Sequence, residues 1–292
     1  MKTQHIRYLS RQNVETINVP MIEIIKALET MFQEKAAGNT QMPPKPSIYP
    51  TEDGFIHAMP ACISGLKSAG VKWVAGYRNN PARGLPYISG LLILNNAETG
   101  MPLSVMDCTW ITAKRTGAAT AVAAKYLARA DASRLGIIAC GVQGRSNLEA
   151  LNCLFPLEKV YAYDIQPVAA HRYAEDVRAQ YGLDVHVVRR PIEAVAGMDL
   201  VVTSGPIVKH PQPVIEAGWK PVLLPLLWIL IPIGRVRLCG KLINWLQMTW
   251  LRWLTIERRG IFRIHRNHMP SWLRLSVAGN RAGSQLLKKS SP

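Results

Sequence analysis

"RLGIIACGVQGRSNLEAL", Arg134 to Leu151, decides the fold. A short apolar run breaks into a glycine-bearing turn, Ala139 to Gly144, and then into a helical stretch, so the segment reads as strand, tight turn, helix. The unit repeats downstream. "KVYAYD" reads as a strand, "PVAAHRYAEDVRAQYG" as a helix, "DVHVV" as a strand, "PIEAVAG" as a short helix and "MDLVVTSGP" as a strand. Strands alternating with helices at this spacing imply an α/β fold with a parallel, doubly wound sheet of Rossmann type.

Upstream the pattern differs. Residues 19–38 place Met21, Ile24, Ile25, Leu28 and Phe32 at helical spacing and close on Gly38, which predicts an amphipathic helix with a C-cap. A proline-rich extended segment, "QMPPKPSIYP", precedes the strand-like runs "FIHAMP", "AGVKWVAGY" and "SGLLILNN". Several strands after one helix suggest a smaller α+β domain. From Thr112 an alanine-rich helix, "TAKRTGAATAVAAKYLARA", carries small residues suited to close packing. The expected domains are therefore 1–125, 126–221 and an atypical tail, 222–292.

The composition, 48% hydrophobic and 18% charged, is that of a globular protein, and 292 residues suffice for two cores. Met1 to Asn18 has no continuous apolar run after its basic residues, so no signal peptide is read there and a cytoplasmic location is the expectation. Five scattered cysteines with no C-x-x-C pair argue for free thiols in a reducing compartment. His265 and His268 have no cysteine or carboxylate partner nearby and read as surface histidines, so no metal is expected. The formal charge of +16 is concentrated in the tail, which holds 12 of the 35 Lys/Arg and a single acid, Glu257. The rest of the chain is close to balanced.

The turn after the first Rossmann-type strand sits where backbone N–H groups at a helix N-terminus receive a pyrophosphate. Gly141 and Gly144, with Val142 and Gln143 between them, match the later part of G-x-G-x-x-G, while Ala139 replaces its first glycine. A purely structural β-α turn is the alternative. Asp164, at the end of the next strand, is placed to bind ribose hydroxyls, and Ile165 and Gln166 offer no cation for a 2′-phosphate, which favours NAD over NADP. The alternative is an Asp that caps the next helix. Thr203 and Ser204, closing the fourth strand, complete the cofactor-binding set. In "KRTGAAT", Arg115, Thr116 and Gly117 are expected at a helix start, where a cation and free N–H groups make an anion site; capping by Thr112 or Thr116 is the plainer reading. Lys72 is a lone lysine in an apolar strand, which costs desolvation unless it meets an anion or reaches water.

"MPACISGLKSAGVKWV", "NPARGLPYISGLLILNNAETGMPL", "ITAKRTGAATAVAAKYLAR" and "GVQGRSNLEAL" together resemble the ornithine cyclodeaminase/mu-crystallin family, from about residue 20 to 221. The resemblance implies a homodimer with a substrate-binding and dimerisation domain beside a Rossmann domain. It implies an NAD-dependent enzyme of amino-acid metabolism acting at the C–N bond α to a carboxylate. The reactions implied are ornithine cyclodeamination or, alternatively, ketimine reduction or alanine dehydrogenation, with an amino acid or cyclic imine as partner and neither nucleic acid nor membrane. Arg115 would grip the substrate carboxylate, and Lys72 would bind it or assist proton transfer at the amine. Lys45 falls where many members have an arginine and keeps the charge without the bidentate fork. Tyr87 stands where cyclodeaminases have a threonine. An acid/base aspartate that members carry shortly after the fourth Rossmann strand has no counterpart here.

From Leu223 to Pro292 there is no Asp and no Tyr, yet five of the eight Trp occur there. We read this tail as the family's C-terminal region translated one base out of frame from near Pro221. Trp has the single codon TGG and every Ile codon begins AT, so Trp228-Ile229 shifted in frame must give GAT, aspartate. With permitted codons "PVLLPLLWILIPIG" becomes Pro-Gly-Ser-Phe-Ala-Ala-Pro-Leu-Asp-Phe-Asp-Ser-Tyr-Trp. Activity impaired by this loss, an incomplete Rossmann sheet and an unpaired apolar edge on its fourth strand are the expectations. A reading of another class takes the basic, Trp-rich tail as a membrane-surface or nucleic-acid-binding module. Its apolar run Val222–Ile233 is too short to span a bilayer and holds two prolines.

Overall fold

The computed structural model describes residues 5–206 and the backbone of residues 229–230. The chain divides into two compact units, which meet along the sequence at Asn18/Val19, Ile25/Lys26 and Trp110/Ile111. The alanine-rich helix thus goes with the second unit, and the boundary lies before it rather than at residue 125.

The first unit is built on a seven-stranded sheet of order β1-β7-β6-β5-β4-β2, with β3 also paired to β4. These strands are β1 (Arg7–Leu9), β2 (Thr40–Gln41), β3 (Ser47–Ile48), β4 (Gly54–Ile63), β5 (Ser68–Tyr77), β6 (Ile88–Asn96) and β7 (Pro102–Asp107). All pairings are antiparallel except β1 with β7. The predicted strands become β4, β5 and β6. Helix α1 (Arg11–Ile17) starts at Ser10, whose hydroxyl accepts from the Asn13 N–H while the Asn13 side chain accepts from the Ser10 N–H. Helix α2 (Met21–Ala36) buries Met21, Ile25 and Phe32, the apolar stripe read from the sequence, and Gly38 beyond it has φ of 81°.

The second unit holds a sheet of order β10-β9-β8-β11-β12. Strands β8 (Arg134–Ile138), β9 (Lys159–Tyr163), β10 (Asp184–Val187) and β11 (Leu200–Thr203) are parallel, as the repeating strand-helix units predict. Helices α4 (Val142–Asn152) and α5 (Pro167–Tyr181) make the first two crossovers, and a 3-10 turn, Pro191–Ala194, lies on the third. The core joins Leu135 and Ile137 of β8 to Leu148, Val160, Tyr173, Val185 and Leu200, all buried. Helix α3 (Thr109–Leu127) adds Ala123 and Ala124 to it.

One expectation changes here. The outer edge of β11 is not bare: β12 (Ile229–Leu230) pairs with Val202 and Val201. That pairing is antiparallel, whereas a doubly wound sheet continues in parallel at this position.

Candidate functional site

In the strand order 3-2-1-4 the chain reverses direction across the sheet between β8 and β11, and ligands of open α/β sheets bind at that point, outside the carboxyl ends of the strands. The turn Ala139–Gly144 leaves β8 there. Gly141 is the N-cap of α4, and a Cβ on it would meet nothing within 4 Å, so the backbone is open to approach. Gly144 is needed for another reason: its Cβ would lie 2.5 Å from the Ala139 carbonyl oxygen. Val142 is exposed, and the Gln143 side-chain oxygen is buried without a hydrogen-bond partner among the described residues. The unpartnered Gln143 acceptor calls for a hydrogen-bond donor, while the first N–H groups of α4, which have no partner within the helix, suit an anionic group.

Asp164 closes on this turn. One carboxylate oxygen accepts from the Cys140 N–H at 2.8 Å and the other from the Gln166 N–H at 2.9 Å, Gln166 being the N-cap of α5. The residue therefore braces two strand ends and the next helix start together, and both readings of it have a structural counterpart. A cavity of about 460 Å3 adjoins it, with Ala170, Val187, His171 and Arg189 on its wall. These two basic residues escape a sequence reading confined to Ile165 and Gln166. Ser204 donates its hydroxyl to the Ala139 carbonyl at 2.7 Å, tying the end of β11 to the same turn, and Thr203 ends that strand. Cys140 is a neutral thiol, its pKa pushed up to about 12 by burial and then by the Asp164 charge.

Arg115 and Thr116 require a correction. Helix α3 starts at Thr109, capped by Asp107, which accepts from the Thr109 N–H at 2.8 Å, so residues 115–117 lie inside the helix and have no free N–H groups. The buried Thr116 hydroxyl donates to the Thr112 carbonyl at 2.7 Å rather than facing a phosphate. Gly117 is where α3 meets α4: a Cβ there would strike the Ser146 carbonyl, and the Ser146 hydroxyl donates to Ala113 at 2.6 Å. Lys114 and Glu149 pair across the same contact. Arg115 itself is exposed.

In the first unit, Lys72 is half-buried on β5 opposite Met59, and His57 stands opposite Val74. Alternation puts Phe55, His57, Lys72 and Gly76 on one face of the sheet. Lys45, also half-buried, acts on the same histidine: burial first, then the charges of Lys45 and Lys72, lower the His57 pKa to about 4. The strand alternation, carried one residue outward from β6, puts Tyr87 on the opposite face, and the Tyr77 N–H at the end of β5 donates to the Tyr87 carbonyl at 2.9 Å. Burial raises its hydroxyl pKa. Sequence reasoning missed His57, because only the register of β4 against β5 brings it beside Lys72.

A family model described as "Ornithine cyclodeaminase/mu-crystallin family" matches residues 6–221. The chain belongs to the ornithine cyclodeaminase/mu-crystallin family. Alanine dehydrogenase of Archaeoglobus fulgidus is 42% identical over 214 residues, 72% of this chain and 62% of that protein. The structure of Thermococcus litoralis Delta(1)-pyrroline-2-carboxylate reductase in complex with NADH and L-proline is 37% identical with a TM-score of 0.66, covering 68% of this chain and 61% of that one. An archaeal alanine dehydrogenase dimer with bound NAD is 41% identical, TM-score 0.64, covering 68% and 60%. The match thus spans less than two thirds of each of these relatives. No described helix is long and apolar enough to cross a membrane. His265, His268 and the tail from 222 lie outside the described residues, apart from the backbone pairing of 229–230.

Proposed function

We propose that this chain is an NAD-dependent oxidoreductase acting at the C–N bond α to the carboxylate of an amino acid or cyclic imine, in the cytoplasm and as a homodimer. The observation that carries the reading is the turn Ala139–Gly144 at the strand switch point, with open backbone at Gly141, an unpartnered Gln143 oxygen and Asp164 fixed by two backbone donors. Gly141, Val142, Gln143 and Gly144 would hold the pyrophosphate, and Asp164 the ribose hydroxyls, its negative charge favouring a free 2′-hydroxyl. Bound NAD supplies hydride acceptance and return. Lys45 and Lys72 attract the substrate carboxylate, and the family resemblance gives Arg115 a carboxylate-gripping role. The alanine dehydrogenase and pyrroline-2-carboxylate reductase among the chain's relatives support alanine dehydrogenation or imine reduction as the reaction.

Fluorescence titration with NADH tests the cofactor half. Micromolar binding, lost in Asp164→Ala, is expected; an absence of NADH binding by the folded chain overturns the reading. NAD-dependent oxidation of L-alanine against reduction of Delta(1)-pyrroline-2-carboxylate then separates dehydrogenase from reductase.

A further inference from the structure

His57 is 9% exposed, and its imidazole makes no hydrogen bond among the described residues. The ring is largely covered, yet its nitrogens are not among the fully buried polar atoms without a partner, so they remain reachable from solvent and can meet a ligand from that side. Its surroundings say which kind. The ring stacks on Phe55 at 4.3 Å between centroids and 24° between planes. Phe55 in turn lies where a Cβ on Gly76 would be, so the strand opposite has a glycine at the place the stack needs. Ser47 of β3 and Val74 of β5 stand opposite His57 in register, and the charged groups acting on it are Lys45 and Lys72.

Lys72 and the largely buried imidazole share one sheet face, and Lys45 lies near enough for its charge to act on the same ring, so the locus is positive. Ammonium charges repel a proton on the ring, and an anion seated on the lysines removes that repulsion. We propose that His57 is a positioning residue of the substrate site, whose ring donates a hydrogen bond to the carboxylate that Lys45 and Lys72 attract and which takes up a proton as that anion arrives. The proton comes from solvent; no bond of the substrate changes. This rests on the carboxylate reading above and extends it, since binding becomes coupled to proton uptake and strengthens as the solution is acidified from neutrality towards pH 5.

NMR of the full chain with labelled histidine, saturated with NAD, tests this with L-alanine and L-proline as probes. The His57 resonance is assigned by its loss in His57→Gln. In the free protein its midpoint lies well below the ordinary histidine value, and a bound amino acid raises it by at least one pH unit, a tenfold gain in proton affinity. Calorimetry at pH 5.5 in two buffers of different ionisation heat should find proton uptake in the wild type and none in His57→Gln. Lys72→Met should raise the midpoint without any ligand, which needs no binding at all. An amino acid that binds and leaves the His57 midpoint unmoved overturns the role of His57 and leaves the carboxylate site standing. If neither amino acid binds while NADH does, the carboxylate reading falls and His57 with it.

Discussion

Ala139 has φ of 75°, in the region where L side chains crowd the following carbonyl, at the position of the turn where a dinucleotide-binding sequence has its first glycine. The left-handed conformation costs an alanine about 1–2 kcal/mol, against which glycine loses about 0.5–1 kcal/mol in chain entropy. Ala139→Gly should therefore stabilise the protein by roughly 0.5–1 kcal/mol, read as a higher urea midpoint with an unchanged slope. A lower midpoint would show that the Ala139 methyl packs better than its backbone strain suggests. His57 gives a second prediction at this scale. Its pKa is lowered to about 4 in the folded chain and returns to the ordinary value on unfolding, so the unfolded chain binds the extra proton between those values. The stability is present above about pH 6.5 and drains away as the pH falls towards 4. Urea unfolding at pH 7 and pH 4.5 should show this loss, with a smaller loss in His57→Gln. The two residues differ in legibility. Ala139 could be placed from the sequence because a glycine pattern fixes neighbours along the chain, whereas His57 depends on which residue of β5 lies opposite it, and cross-strand register leaves no mark in a single sequence.

Helices α3 and α4 show how a sequence signal is misplaced by an element. The segment "KRTGAAT" reads as a helix start because threonine and glycine favour termini. The helix instead begins at Thr109 under the Asp107 cap, and Gly117 serves the interior contact with Ser146. Strands β8 to β11 were legible for the opposite reason: buried parallel strands are continuous apolar runs, and each crossover carries its own turn signal. The two kinds of glycine predict opposite phenotypes. In Gly117→Ala the new methyl meets the Ser146 backbone, so the helices must separate, at a cost of about 1–3 kcal/mol in urea unfolding. In Gly141→Ala the methyl meets nothing and φ is −77°, so stability should hold within about 0.5 kcal/mol while NADH affinity falls tenfold or more. Equal NADH binding by Gly141→Ala and the wild type would mean that no pyrophosphate lies on that turn.

At the scale of the molecule, two surfaces among the described residues bear on assembly. Trp73 and Leu91 are paired across β5 and β6 and are 47% and 48% exposed on the sheet face away from His57. Large exposed apolar residues side by side mark an association surface. With a second copy as occupant, Trp73→Glu should convert a dimer to a monomer in sedimentation experiments, and a wild-type monomer would reject this interface. The other surface is the edge of β11. The family match stops at residue 221, the same place where aspartate and tyrosine vanish and tryptophan accumulates, and the strand that then joins β11 runs antiparallel. The composition change and the end of the family match fall at the same place in the chain. We propose that a shifted reading frame accounts for all three: the residues that would form a parallel neighbour of β11 would then not be the ones translated. Under this proposal the neighbouring frame carries an aspartate at Trp228-Ile229, in the region where the acid/base aspartate is missing. Sequencing the gene around codon 221 decides the matter. The neighbouring frame should run open through residue 292 and encode an acidic, tyrosine-containing segment in place of the basic tail; stop codons within it would end the idea. The frame-restored protein should then bind NADH more tightly and unfold at a higher temperature than this chain, because β11 would regain a parallel partner along its full length.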